Sequence, residues 1–394
     1  MGLQGPKSNL GVQNDETFLD VTVRQIKYLN NKHRCDIPLL LMNSFNTHAD
    51  IEEIEKRYKN EVCLFMFNQS KFPRLSRETL RPIPTSGNSP DEEWYSPGHG
   101  DVYKSLLRSG MLNKFMKEGK EFMFISNIDN LGAIVDLGIL TALAEMENSP
   151  QFIMELTNKT KSDVRGGALV KYGGKSRLLE LSQVPADKVA DFHSRFKLFN
   201  TNNLWVNLKA LKPKLDKNKL TMEVIVNNLP ADKHGITILL ETAAGAAVSN
   251  FSQVLAVTVP RSRFLPVKTT SDLLLMRSNF YIIGDDGSLE INPKCYEPTQ
   301  DNLDNPKTAR SAPQIKLSDD YFQKVAMLES RIQQIPNILK LDRLVVAGNV
   351  TIGINVTLKG VVIIIADDGK YIHIEDGATL EDKLVLQSRT LEYY

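Results

Sequence analysis

Several short segments carry residue types suited to a charged, hydroxylated ligand. Gly5-Pro6-Lys7-Ser8 sets a lysine beside a Gly/Pro turn, where an ammonium can neutralise phosphate while the backbone stays close. A surface turn has the same composition. Pro97-Gly98-His99-Gly100-Asp101 flanks a histidine with two glycines, so the chain can pass near a ligand and aim the imidazole at it. A tight turn with a structural histidine is the competing account, and Trp94-Tyr95 just before it suits packing as well as base stacking. Asn127-Ile128-Asp129 offers a carboxylate for magnesium, which takes few protein oxygens and fills its shell from phosphates and water. Asp129 equally suits an N-cap for a following helix. Phe199-Asn200-Thr201-Asn202-Asn203-Leu204-Trp205 packs three amides between aromatics; amides both donate and accept, as sugar hydroxyls require, though a turn and helix cap would use them too. Glu241 can accept from hydroxyls or sit at a surface or cap. Gly166-Gly167 suggests close backbone approach. Arg261-Ser262-Arg263-Phe264-Leu265-Pro266-Val267-Lys268 is a basic cluster with a proline brace, fit for a polyphosphate or for a solvated loop.

These segments need elements to position them. Residues 18–30 place Leu19, Val23, Ile26 and Leu29 on one helical face, and residues 50–59 do the same with Ile51, Ile54 and Tyr58. Residues 37–42 are a continuous apolar run, the pattern of a strand covered on both sides. Strands are also expected at 62–67, 122–125 and 152–156, with a helix over 135–146. This alternation predicts a mostly parallel sheet flanked by helices. Ligands of such sheets sit beyond the carboxyl ends of the strands. Asn43-Ser44-Phe45-Asn46-Thr47, Asn68-Gln69-Ser70 and Ser126-Asn127-Ile128-Asp129-Asn130 each follow a strand, which suggests one shared polar pocket. Residues 285–313 read as a loop or linker, and 321–335 as a helix. From Leu344 the pattern changes: Val350, Val356 and Val362 recur every six residues, as do Ile352 with Leu358. That spacing predicts coils of a parallel β-helix, whose exposed end coil can meet another subunit; a small mixed β tail is the alternative.

The totals narrow the field. The chain has 394 residues, 42% hydrophobic and 24% charged, with a formal charge of +1. That length predicts two domains, and the near-neutral balance argues against a general nucleic-acid binder. Cys35, Cys63 and Cys295 are too sparse and irregular for a disulfide framework or a zinc site. No apolar run is long enough to span a bilayer, Met1-Gly2 opens no secretory signal, and Pro6 spoils a myristoylation motif. The expectation is a cytoplasmic protein that uses neither membrane nor nucleic acid.

In order, the segments MGLQGPKS, LMNSFNT, FNQS, PGHGD, SNIDNLGA, MELTNKTKSDVRGG, FNTNNLW, LETAAGAA and PRSRFLPVKTTSDLLL, with VTLKGVVIIIADDG in the tail, span nearly the whole chain. The set resembles the eukaryotic-type UTP–glucose-1-phosphate uridylyltransferases, or UDP-glucose pyrophosphorylases. The resemblance implies an α/β architecture: a Rossmann-like nucleotidyltransferase domain over residues 1–284, a mixed sheet flanked by helices. A linker and helix over 285–335 and a C-terminal parallel β-helix oligomerisation domain over 336–394 would follow. It implies transfer of uridylyl from UTP to glucose 1-phosphate, releasing UDP-glucose and pyrophosphate, with Mg2+ as cofactor and homo-oligomers formed through the β-helix. The implied catalytic residues are Lys7 and Lys268. UTP contacts fall on Lys7, Gln69, Gly98, Asp129 and Lys268, with Gln69 and Gly98 on the uracil side. Sugar-phosphate contacts fall on His99, Asn127, Ile128, Asp129, Asn202 and Glu241, and the metal on Asp129.

The chain departs from the family pattern at its start. That pattern sets a glycine-rich stretch, L-N-G-G-x-G-T-x-M-G, directly before Gly-Pro-Lys, and Met1-Gly2 fits only its end. The expectation is a chain without that nucleotide-cradling loop, its strand and the helices before it. That chain would be a truncated form of an active enzyme or a protein that has lost catalysis. An interaction subunit and a pyrophosphorylase for another sugar 1-phosphate are the rival readings.

Overall fold

The helical period at residues 18–30 becomes the helix Phe18–His33, with Leu19, Val23 and Ile26 buried. Thr17 and Asp20 close its first turn reciprocally: Thr17 N donates to Asp20 Oδ2 (2.8 Å) and Asp20 N to Thr17 Oγ1 (3.2 Å). The computed structural model describes residues 1–3, 5–146, 149–160, 166–297 and 308–386. The chain forms two compact units. One comprises Met1–His33, Ile128–Gly132 and Leu265–Tyr394; the other comprises Arg34–Asn127 and Ala133–Phe264. Among the described residues no helix is long and apolar enough to cross a membrane.

The second unit is α/β. Strands Leu39–Asn43 and Leu64–Asn68 pair in parallel, and the helix His48–Tyr58 that joins them buries Ile51, Ile54 and Tyr58. A four-stranded sheet runs in the order Val254–Thr258, Phe152–Asn158, Leu198–Asn207, Phe122–Ile125. Its first ladder is parallel and the other two are antiparallel, so the sheet is mixed rather than mostly parallel. The reason lies in one connection. Phe152–Asn158 leads into the hairpin Gly167–Tyr172/Lys175–Glu180 and the short helix Val189–Arg195, and the chain returns antiparallel instead of crossing over once. The apolar run at Leu39 to Met42 is half-buried, not covered on both faces. An apolar run records composition, not what packs on each side. The helix expected over 135–146 is Leu137–Glu145, capped by Asp136, whose Oδ1 accepts from Ile139 N (3.1 Å).

The first unit is built on β coils. Strands Gln314–Leu317, Asn337–Ala347, Thr357–Ile365 and Thr379–Leu386 stack in that order, all parallel. A second face pairs Val350–Ile352 with Ile372–Ile374, also parallel. Leu344 lies against Val362, and Val362 against Lys383, steps of 18 and 21 residues. Three hexapeptides fill such a coil, which explains the six-residue recurrence. Val346, Val350, Val356, Leu358, Val362 and Ile364 all point inward to one core. Gly348 turns a corner at φ +79°, where a Cβ would stand 2.2 Å from the carbonyl oxygen of Ala366.

Two expectations here change. Residues 321–335 form two short helices, Asp319–Phe322 and Val325–Arg331, because Lys324 is extended (φ −103°, ψ 149°). The break lets Phe322 and Leu328 both enter the core, and Met1 O accepts from the Val325 N–H (3.0 Å). Residues 285–313 are not wholly loop: Leu289–Ile291 pairs with Tyr281–Ile283. Residues 298–307 of that stretch, and Lys161–Arg165 of the MELTNKTKSDVRGG segment, lie outside the described residues.

Candidate functional site

In the first unit three positions far apart in sequence converge. Lys7 opens the 3-10 turn Lys7–Asn9, held off by Pro6 in an extended conformation. Residues 128–132 run beside 265–267: Leu131 N donates to Leu265 O (3.3 Å) and Val267 N to Asp129 O (3.0 Å). Asn130 Oδ1 accepts from Leu265 N (2.8 Å) and Gly132 N (3.2 Å). This zipper leaves Asp129 7% exposed, between two ammonium groups. Lys7 Nζ lies 2.7 Å from Asp129 Oδ2, and Lys268 Nζ lies 2.7 Å from Oδ2 and 2.9 Å from Oδ1. Lys7 Nζ also donates to the carbonyl of the fully buried Val267. Lys268 stands just before the helix Thr270–Arg277. A capping box of Thr269 and Asp272 fixes that helix start, and Asp272 Oδ2 also accepts from Lys268 N (2.9 Å). Asp129 does not cap the next helix; Asp136 has that role. Ile128, next to Asp129, is half-buried against the core of this unit.

The second unit gathers another set. Gly98 has φ +83°, and a Cβ there would lie 2.8 Å from Thr242 O and 3.3 Å from Glu241 Cβ. Only glycine permits both the backbone angle and the approach. Thr242 N in turn donates to Pro97 O (2.9 Å). His99 Nδ1 accepts from Ala244 N (3.1 Å), which leaves Nε2 to carry the proton of the neutral ring. Asp101 Oδ2 takes Ser70 N (2.6 Å) and Ser105 Oγ (2.6 Å), so the Asn68-Gln69-Ser70 loop is tied to the histidine turn. Gln69 N donates to Asn43 O (2.9 Å), which joins the first two strand-end loops. The side-chain oxygen of Gln69 is buried without a hydrogen-bond partner among the described residues. Asn127 is half-buried just past the strand Phe122–Ile125.

The Asn200–Asn203 segment is neither turn nor helix cap. It is a bulge inside the strand Leu198–Asn207, where pairing with Phe152–Asn158 slips between Asn200 and Leu204. Asn202 takes φ +60°, and Asn200 braces it: Asn200 Nδ2 donates to Asn202 Oδ1 (2.7 Å) and Asn202 N to Asn200 Oδ1 (3.0 Å). A Cβ on Gly245 would meet Asn200 Nδ2 at 3.2 Å, so the Ala244-Gly245 backbone lies against this bulge.

Three carboxylates important to this arrangement received no role from the sequence. Glu155 is wholly buried and accepts from Arg263 Nε (2.7 Å) and Nη2 (2.6 Å), Trp205 Nε1 (2.9 Å) and Asn203 Nδ2 (3.1 Å). Arg263 is therefore neither a polyphosphate ligand nor part of a solvated loop. The charged letter inside the apolar strand Phe152–Asn158 was the available signal. Glu180 packs against Gly167, whose Cβ would lie 2.9 Å from Glu180 Oε1, and burial pushes its carboxyl pKa up. Asp101 is the third.

The mixed α/β sheet and the stack of parallel β coils are the fold of a nucleotidyltransferase. A family model described as UTP–glucose-1-phosphate uridylyltransferase matches residues 1–359. UTP–glucose-1-phosphate uridylyltransferase 2 of Dictyostelium discoideum is 48% identical over 98% of this chain and 74% of its own length. The Saccharomyces cerevisiae uridylyltransferase is 47% identical over 98% and 75%. Among solved structures, UDP-glucose phosphorylase from Trypanosoma brucei superposes with a TM-score of 0.85 at 33% identity, covering 98% of this chain and 83% of that one. A point mutant of UDP-glucose pyrophosphorylase from Leishmania major in complex with UDP-glucose gives 0.84 at 32%, with the same coverage. The chain belongs to the UTP–glucose-1-phosphate uridylyltransferase family.

Proposed function

We propose that this protein transfers the uridylyl group of UTP to glucose 1-phosphate, giving UDP-glucose and pyrophosphate. The observation that carries the reading is the pair of lysines on one buried aspartate. A phosphate oxygen of glucose 1-phosphate attacks the α-phosphorus of UTP, the bond to the β-phosphate oxygen breaks, and pyrophosphate leaves as an anion. The attacking phosphate is already ionised, so no strong general base is needed. Catalysis is alignment and charge neutralisation. Lys7 and Lys268 neutralise the triphosphate.

Asp129 would hold Mg2+, which supplies Lewis-acid neutralisation of phosphate oxygens when bound. The donor set supports that ion. Asp129 is one buried carboxylate whose oxygens face the Lys7 and Lys268 ammonium groups, which would turn to the triphosphate as the ion enters. Magnesium asks for one or two carboxylates and takes the rest from phosphates and water. Gln69, with its unpartnered amide oxygen, and the close backbone at Gly98 serve the uracil side. His99 Nε2 donates to the sugar phosphate. Asn127, Ile128, Asn202 and Glu241 contact the sugar, and the half-buried Glu180 joins them as a hydroxyl acceptor. In this reading residues 1–284 carry the chemistry, 285–335 link, and the coils of 336–394 assemble copies of the chain, in the cytoplasm.

Lys268→Ala tests the site. Turnover, read by a coupled assay for pyrophosphate, should fall about a hundredfold or more. The urea midpoint should hardly move, because Lys268 is 55% exposed and its ion pair contributes little stability. Near-normal turnover removes Lys268 from the machinery. Faster turnover with another sugar 1-phosphate than with glucose 1-phosphate overturns the substrate assignment.

A further inference from the structure

A cationic cavity lies in the second unit, on residues to which the transfer reaction gives no role. The hairpin Gly167–Tyr172/Lys175–Glu180 turns at Gly173 (φ +58°) and Gly174 (φ +75°), which sets Tyr172 opposite Lys175 and Lys171 opposite Ser176. The cavity beside it has a volume of about 890 Å³, and its lining includes Lys171, Lys175, Arg177 and Lys219. Its single carboxylate, Glu223, is engaged by Arg177 Nη1 at 3.3 Å. The ammonium groups of Lys171, Lys175 and Lys219 have no hydrogen-bond or ion-pair partner among the described residues. Arg177 is braced over the Tyr172 ring (5.0 Å), and its Nε is buried with no acceptor. The opposite wall is ordered: Thr221 N donates to Asn250 Oδ1 (2.9 Å), and Asn250 Nδ2 returns a bond to Thr221 O (2.6 Å).

Four cations around one already-paired carboxylate, in a chain whose net charge is +1, form a local excess of positive charge. Like charges gathered without counter-ions repel, and a bound polyanion relieves that. The size of the cavity and its confinement to one hairpin and two short segments, 219–223 and 249–254, suit a small molecule rather than a nucleic acid, which needs an extended basic face. We propose that this cavity, whose lining includes none of Lys7, Asp129 and Lys268, binds a small polyphosphorylated anion.

The test measures binding of inorganic tripolyphosphate by calorimetry at low salt, with saturating UDP-glucose present. Wild type should bind it. Lys171→Ala/Lys175→Ala/Lys219→Ala should bind at least about tenfold more weakly, since each exposed charge pair is worth a fewfold. Turnover and the circular-dichroism spectrum should be unchanged. Lys56→Ala/Lys188→Ala/Lys233→Ala removes the same charge from exposed lysines outside the cavity and should bind as wild type does. No binding by wild type, wild-type binding by the cavity variant, or an equal loss in the control variant each overturns the proposal. These outcomes do not depend on which sugar nucleotide the protein makes.

Discussion

Removing the charge of Glu155 should destabilise the second unit more than most single substitutions would. Its two oxygens receive four donors. Oε1 takes Trp205 Nε1 and Arg263 Nη2, and Oε2 takes Asn203 Nδ2 and Arg263 Nε. Glu155→Gln keeps the shape but puts an NH2 group where one oxygen stood. Whichever way the amide is turned, donors then face donors on one side and two bonds are lost. The guanidinium, its side chain 6% exposed, then has Asp136 at 3.5 Å as its anionic neighbour, beside the Ile134 carbonyl that accepts from Nη2 (3.0 Å). Breaking a buried pair by removing one partner costs about 3–5 kcal/mol, against a total stability of about 5–15 kcal/mol. Glu155→Leu/Arg263→Met removes both charges and leaves no unpaired ion, so it should cost less than the sum of Glu155→Leu and Arg263→Met by at least about 1.5 kcal/mol. Urea unfolding with a constant slope reads these differences. Asn203 and Thr201 anchor the Asn202 bulge on Glu155, so KM for glucose 1-phosphate should rise with Glu155→Gln while KM for UTP stays. A loss below about 1 kcal/mol for Glu155→Gln, or strict additivity in the double variant, refutes the reasoning.

Two further outcomes follow from the second unit. Burial raises the Glu180 pKa, so the folded state holds that proton after the unfolded chain has released it; wild-type stability then falls, relative to Glu180→Gln, as pH rises from about 4 towards 7. A gap between the two proteins that stays constant over that range contradicts the burial account. Gly98→Ala forces a Cβ into a glycine-only backbone region, 2.8 Å from Thr242 O, and should cost about 1–3 kcal/mol with a shift of the His99 turn. Unchanged urea midpoint and unchanged turnover in Gly98→Ala contradict the close approach.

What could be read from the sequence divides along physical lines. Periodic elements were legible: Phe18–His33 and His48–Tyr58 appear where the apolar stripe lies, and the β coils where valines recur every six residues. Strand direction was not, because the chain between Phe152–Asn158 and Leu198–Asn207 takes up length as a hairpin and a short helix, and no local pattern records the direction of its return. The helix break at Lys324 was hidden too. Nothing in its own letters breaks a helix; the core positions of Phe322 and Leu328 impose it. At the site, residue types pointed to Lys7, Asp129 and Lys268 but their meeting depends on the ladder between 128–132 and 265–267. Arg263 shows the opposite case. Its neighbours suggested an exposed basic run, yet it is buried, because Glu155, distant in sequence, holds it.

The Lys7–Asp129–Lys268 arrangement also accounts for the asymmetry expected between function and stability. The two ammonium groups proposed to meet a polyanion would repel each other if left alone at this range. Asp129 supplies their common counter-charge and keeps both within 3 Å of one carboxylate. The two lysines are not equivalent. Lys7 is 26% exposed and anchored by the buried Val267 carbonyl as well as by Asp129, whereas Lys268 is 55% exposed and its ammonium is held by Asp129 alone among the described residues. Removal of Lys268 leaves the buried carboxylate paired with Lys7, so little folding energy is lost. It removes one of two preorganised positive charges from the place where the triphosphate would sit, and phosphoryl chemistry depends on preorganised charge more than on any covalent help from the protein. A site built this way keeps its counter-charge in the fold and its spare cation near solvent, available to a ligand.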